Sequence, residues 1–376
     1  MDYSVGETRR RRCQWQNLML LAFSTGLAVV AGEIGARLIL SSPLPWLYPQ
    51  LRYQADPELV FTLAPNQVGF TADKPVHINS RGLRGPEVEF TPKPGYLRLI
   101  WLGDSIVFGF GVTDEEVVTR RVEVRLKQTG VKAEVINTGV PAYNTEQEVA
   151  FLARNGVQYH PDWTILGFCW NDINDQLGAR VCPDGWLIST TAGAPSCESP
   201  FLESPRGYTF RNGLKRFRLA YGVMESVRAL HEMITRDDHT LFRSEVLEGQ
   251  ETERVRAGWT RVEAAVHRLA ALGNEMGFRT LIVAFPLPLS LERSFPRSDY
   301  PSRLREIARR EGLPFLDLQP SFKTAYRGHD SLFIPYDGDH PNAAGHDLAA
   351  QEIVAFLLAH GQVLPKSAPE APKRHQ

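Results

Sequence analysis

Short apolar runs recur along the second three-quarters of the chain, with stretches between them in which apolar residues return every three or four positions. The runs at residues 97–102, 133–136, 163–168, 279–285 and 314–318 are rich in β-prone side chains and bounded by Gly, Pro, Asn or Asp. Each reads as a buried strand. The periodic stretches read as amphipathic helices over residues 114–127, 144–155, 214–233, 251–276, 302–311 and 341–359. In the third of these, Phe217, Ala220, Val223, Val227 and Leu230 share one face. Thr113 and Glu116 have capping-box spacing, Gly130, Gly277 and Gly312 mark helix ends, and Pro341 suits the first position of the last helix. Strands alternating with helices predict an α/β fold, a three-layer sandwich with a mainly parallel sheet.

The flanks break this rhythm. Arg9 to Arg12 precede an apolar stretch over residues 18–40, interrupted near its end by Glu33 and Arg37. That stretch is long enough to span a bilayer, which takes about 20 residues. The arginines would keep residues 1–17 inside and send the rest across. Glu33 and Arg37, one helical turn apart, would pair near the outer interface. A cleaved signal segment is the rival reading. Residues 41–95 are proline-rich with two short strand-like runs, at 59–63 and 76–78, and read as a linker carrying accessory strands. The main domain then occupies residues 96–361, with an insertion over 176–250 whose first part is polar and rich in Gly, Pro, Ser and Thr. Residues 236–249 read as a loose connector, and 362–376 as a disordered tail.

Composition narrows the field further. With 42 basic and 43 acidic residues and a net charge of −1, the chain has no overall bias toward nucleic acid. There are four cysteines, none with zinc-like spacing. Cys182 and Cys197 stand in the insertion and would bridge in an oxidising compartment, whereas Cys169 lies in a strand as a buried thiol.

Three polar motifs carry the chemistry. Gly103-Asp104-Ser105 follows the 97–102 strand, Asn171-Asp172 follows the 163–168 strand, and Asp337-Gly-Asp339-His340-Pro341 precedes the last helix. Ligands bind at the carboxyl ends of strands in open parallel sheets. A serine there needs a base, and the base an orienting acid. The spacing lets Asp337 reach the near nitrogen of His340 and leave the far one for Ser105. Asn171 can donate to a developing oxyanion. In order and spacing these motifs resemble the SGNH/GDSL hydrolase family. The resemblance implies a flavodoxin-like fold, Ser105, His340 and Asp337 as catalytic triad, and an oxyanion hole from the N–H of Ser105, the N–H of Ala142 and the Asn171 amide. The family has glycine where Ala142 stands, and also where Cys169 stands. An alanine keeps the N–H but would be strained if the loop needs positive φ. Membrane-anchored bacterial members often carry a stretch like Asn79-Ser-Arg-Gly-Leu-Arg-Gly85, in which Arg81 and Arg84 would make salt bridges or meet an anionic or sugar substrate.

Other readings fare worse. A metal site from Asp337, Asp339, His340 and His346 has no recognisable ligand motif, no Gly-x-Ser-x-Gly surrounds Ser105, and Gly103, Gly109 and Gly111 make no dinucleotide fingerprint. The expectation is a serine esterase acting on acyl esters, O-acetyl groups of cell-surface glycans among them, with no metal and no cofactor. Its partners would be an acyl-ester small molecule or acylated glycan and, through the N-terminal helix, a membrane, with no nucleic acid. It would be a single-pass inner-membrane protein with the catalytic domain periplasmic or extracellular. An acyltransferase that passes the acyl group to a polysaccharide hydroxyl, and a catalytically silent glycan-binding protein, stay open. Substrate-binding residues and oligomeric state are not readable from these motifs.

Overall fold

The computed structural model describes residues 3–174, 179–189, 197, 205–235, 238–295 and 300–360. It divides into two compact units, Met1–Pro43 with Thr209–Arg236, and Leu44–Tyr208 with Asp237–Gln376. The expected disordered tail, 362–376, lies outside the described residues.

The smaller unit contains α1 (Tyr3–Ile39). Its segment Gln14–Ile39 is 26 residues long and apolar enough to cross a membrane. The helix begins at Tyr3, so the arginine run and the apolar run belong to one continuous helix.

In the larger unit the chain first makes two antiparallel pairs. They are β1 (Tyr53–Asp56) with β2 (Val60–Leu63), and β3 (Gln67–Thr71) with β4 (Lys74–Ile78). β2 and β4 fall on the two short runs expected in the linker. Their partners β1 and β3 carry polar residues and a glycine and have no strand signature of their own.

The core follows: β5 (Leu97–Leu102), α2 (Ser105–Phe108), α3 (Val118–Gln128), β6 (Ala133–Asn137), α4 (Thr145–Arg154) and β7 (Trp163–Phe168). β8 (Ala179–Val181) and β9 (Leu187–Ser189) form a hairpin in the insertion. The Cys182–Cys197 disulfide follows it, with Cα atoms 5.4 Å apart, as the composition of that segment predicted. Next come α5 (Pro205–Lys215), α6 (Arg218–Thr235), which belongs to the smaller unit, α7 (Asp238–Leu247) and α8 (Glu253–Met276). The chain closes with β10 (Arg279–Ala284), α9 (Pro288–Glu292), α10 (Tyr300–Arg310), β11 (Phe315–Asp317), α11 (Gln319–Ala325) and α12 (Ala343–Ala359). The five core strands are parallel in the order β11-β10-β7-β5-β6. Every residue of β5 and β7 is buried, Arg98 through its bond to Glu134, which explains why both read as mostly apolar runs rather than alternating ones.

Three expectations need correction. α3 starts at Val118, not at residue 114: Glu116 does accept the Thr113 N–H at 3.0 Å, but the bond closes a turn ahead of the helix. Pro341 precedes α12 instead of opening it, because Asn342 caps the helix through the N–H groups of Ala344 and Gly345 at 2.8 and 3.1 Å. The described part of the expected loose connector, residues 238–249, is not one. They contain α7, which buries Phe242, Val246 and Leu247 against the core.

Candidate active site

β5 lies between β6 and β7, so the connections leaving β5 and β6 run to opposite sides of it. That reversal opens a crevice at the carboxyl ends of β5 and β7. Ser105 stands just past the first of these ends and Asn171 just past the second.

The serine is set by local chemistry. Asp104 Oδ1 accepts the Ile106 N–H at 2.8 Å and caps the single turn of α2. Gly109 ends that turn at φ 89°, and a Cβ there would lie 2.5 Å from Val117 Cγ2. The loop beyond is braced by Arg84. Its buried guanidinium donates to the carbonyls of Phe108, Gly109 and Val112 at 2.8, 2.6 and 2.7 Å and pairs with Asp114 at 2.7 Å. Arg81 lies over the Phe90 ring at 3.8 Å. Of the two roles open to these arginines, Arg84 has the structural one.

His340 Nε2 is 2.8 Å from Ser105 Oγ, and His340 Nδ1 is 2.8 Å from Asp337 Oδ1. The same Asp337 oxygen accepts the N–H groups of Asp339 and His340 at 2.9 and 2.8 Å. Burial disfavours charge on Asp337, but the imidazole and these donors outweigh it and hold its carboxyl down at about 2. Burial likewise opposes protonation of His340. The facing Asp337 carboxylate outweighs it and raises the imidazole above its ordinary value. Phe110 packs on the imidazole with ring centroids 4.6 Å apart. Asp339 faces elsewhere: its Oδ1 accepts Trp170 Nε1–H at 3.3 Å and lies 3.8 Å from Arg243.

Asn171 sits in the single 3-10 turn Trp170–Ile173. Its Nδ2 donates to Asp104 Oδ2 at 2.7 Å. A primary amide nitrogen carries two hydrogens. One is held by Asp104, which orients the group, and the other is left for a ligand. Asp104 therefore both caps the serine turn and positions the asparagine, 67 residues away.

Ala142 is at φ 71°. Tyr143 N–H donates to Val140 O at 3.1 Å, with Pro141 second and Ala142 third in the turn. That is type II turn geometry, which favours glycine at the third position. The alanine is thus strained, the condition under which the sequence put it in doubt, but it keeps its N–H. The turn is tied to the serine strand by Val140 N–H to Gly103 O at 3.1 Å.

Beneath the site lie three buried carboxyl groups, Asp104, Glu148 and Asp172. Asp172 Oδ2 accepts the Cys169 N–H at 2.6 Å and so shapes the turn that carries Asn171. Burial first raises both Glu148 and Asp172 well above the usual carboxyl range, followed by the charge of Asp172 for Glu148 and the charge of Asp104 for Asp172. Sequence reading placed Asp104 only as a member of the Gly103-Asp104-Ser105 motif. It missed Phe110 and Glu148, whose roles depend on neighbours far along the chain. His346, from the metal reading, is buried, and its Nδ1 accepts the Val118 N–H at 3.3 Å. Among the described residues no group of three or more His, Cys, Asp or Glu is placed to hold a metal ion. A hydroxyl, an imidazole and a carboxylate in series, beside unspent N–H donors, can activate the hydroxyl for attack on a carbonyl.

Residues 101–348 match the family of GDSL-like lipases and acylhydrolases. Solved structures similar to the chain include the lipase/acylhydrolase from Enterococcus faecalis, at 18% identity and a TM-score of 0.39, covering 72% of this chain and 100% of that one. The acetylxylan esterase Axe2 from Geobacillus stearothermophilus is similar at 15% identity and a TM-score of 0.41, covering 71% and 94%. A two-domain esterase active on acetylated mannans is similar at 16% identity and a TM-score of 0.39, covering 75% of this chain and 54% of that one. No curated protein matches the chain.

Proposed function

The chain belongs to the GDSL-like lipase/acylhydrolase family and is an SGNH-type serine hydrolase, and from that premise we propose that it cleaves acyl esters with Ser105 as nucleophile, His340 as base and Asp337 as the orienting acid. Ser105 Oγ attacks the ester carbonyl carbon while His340 Nε2 takes its proton. Asp337 holds the imidazole with its Nδ1–H toward the carboxylate and balances the imidazolium that forms. The N–H groups of Ser105 and Ala142 and the free Nδ2–H of Asn171 receive the oxyanion. The tetrahedral intermediate collapses as His340 returns the proton to the leaving alcohol. Water, deprotonated by His340, then attacks the acyl-serine, and the imidazolium returns that proton to Ser105 Oγ as the carboxylic acid leaves. The observation that carries this reading is the pair of 2.8 Å contacts linking Ser105 to His340 and His340 to Asp337.

The acyl group and its carrier belong to the same proposal: acetyl esters on cell-surface glycans, met by a domain that α1 anchors to the outer side of the membrane. An anchor kept in the mature protein fits the packing of α1 on α6, in which Glu33 accepts the first N–H groups of α6 and a Cβ on Gly32 would meet Leu219 at 3.0 Å.

The test is turnover of an aryl acetate by the whole chain. Ser105→Ala and His340→Ala should each cost on the order of 10⁴–10⁶ in kcat, and Asn171→Ala roughly 10²–10³. Wild-type turnover by a folded Ser105→Ala protein rejects the assignment. Products formed with an acetylated glycan and a second glycan acceptor separate hydrolysis from transfer.

A further inference from the structure

Beyond its contacts with α1 at Leu219 and with Leu40 at Gly222, helix α6 presents an exposed apolar face among the described residues. Leu219, Val223, Val227 and Leu230 fall at helical spacing on one side, and Val227 is 60% exposed. With Leu40 they line a groove of about 380 Å³ that also includes Gly222 and Ser226. Ser226 does not interrupt its apolar character, since its hydroxyl donates to Gly222 O at 2.8 Å. The opposite side carries Arg228 and Glu225, paired at 3.0 Å. A helix with one apolar side and one charged side suits an interface between water and acyl chains.

The position of α6 on α1 says which interface. Glu33 lies within the apolar span Gln14–Ile39. Its two oxygens accept the N–H groups of Arg218 and Leu219 at 3.0 and 2.9 Å, and it pairs with Arg37 at 2.7 Å. Arg37 in turn donates to Arg216 O at 2.8 Å. The first turn of α6 is therefore fixed at the depth of Glu33. The span has 26 residues against the about 20 a bilayer needs, so its last turns reach the headgroup level. Just before α6 stand Arg211, Lys215 and Arg216 with no acidic residue among residues 209–218, interleaved with the exposed rings of Phe210 and Phe217. Cations beside exposed rings match anionic headgroups above acyl chains.

We propose that α6 lies in the membrane interface beside α1, its Leu219–Val223–Val227–Leu230 face in the acyl region and its Arg228 side toward water. The protein would then hold the bilayer by a span and an in-plane helix clamped together through Glu33. This rests on the reading of α1 as a retained membrane span.

The test uses the whole chain in vesicles of phosphatidylethanolamine and phosphatidylglycerol. In a Cys13→Ser background, spin labels are placed singly through Val227→Cys, Arg228→Cys and, within α1, Val29→Cys. All three side chains are more than half exposed, so the labels displace no packed group. Collisions with oxygen and with a water-soluble nickel chelate are compared. Positions 227 and 29 should favour oxygen several-fold more than position 228 does. Oxygen preference at 29 with nickel access at 227 equal to that at 228 overturns the inference and leaves the anchor standing. Nickel access at both 29 and 227 removes the anchor reading and the inference together. Label–label broadening at 227, with both collision partners excluded, means that a second copy of the chain covers the face, and also overturns it.

Discussion

Asp337 and His340 make a pair whose charges depend on each other, and the pH profile should report it. Only the neutral imidazole can take the Ser105 proton. Because Asp337 raises the His340 pKa, the base form disappears as pH falls through a value above the ordinary histidine range near 6.5. The acid limb of kcat/KM is therefore expected above that value. Asp337→Asn removes the charge that raises it, so the limb should move to lower pH while kcat falls by roughly 10³–10⁴. A limb that stays in place in the variant would reassign the orienting acid. Ala142 offers a second residue-scale test. A left-handed alanine costs about 1–2 kcal/mol and glycine's extra freedom in the unfolded chain returns about 0.5–1 of that. Ala142→Gly should raise stability by about 0.5 kcal/mol, read by urea unfolding, and keep activity, since the N–H stays.

Whole elements hold the site by close approach. Gly258 in α8 faces the turn that carries Asn171, and a Cβ there would lie 2.2 Å from Ile173 O, a backbone atom that cannot swing aside. Gly258→Ala should push the 170–173 turn away from Asp104 and break the 2.7 Å contact that orients Asn171. The expected result is a drop in kcat close to that of Asn171→Ala, together with a lower Tm. A fall in Tm alone, with kcat intact, would show that the turn follows Asp104 and not α8. At this scale the sequence was readable where burial is two-sided: β5 and β7 are buried at every position and, apart from Arg98 and Thr164, apolar. It was less readable at edges. β1 and β3 have polar sequences because they are held by their partners' backbone groups, and α7 was missed because charged residues surround its three buried ones.

For the whole molecule the testable feature is sidedness. The proposed arrangement, with the catalytic unit outside, rests on the disulfide between Cys182 and Cys197 and on the arginines ahead of the apolar span. Intact cells treated with a membrane-impermeant reductant and then an impermeant maleimide should label Cys197 and spare Cys13. Labelling of Cys197 only after lysis would reverse the orientation. The sequence by itself determined the alternation of strands and helices, and it nominated the candidate span and the candidate residues Ser105, Asn171, Asp337 and His340. It could do so because local period, turn chemistry and short spacings such as Asp337 to His340 are written in adjacent residues. Tertiary structure decided which groups meet across distance. Asp104 serves the serine turn and Asn171 at once, Glu148 comes under the site against Asp172, and Glu33 caps a helix that begins 185 residues later. No local rule encodes such contacts, because each exists only once the strand order has brought separate loops to one end of the sheet, or a helix has packed against another far along the chain.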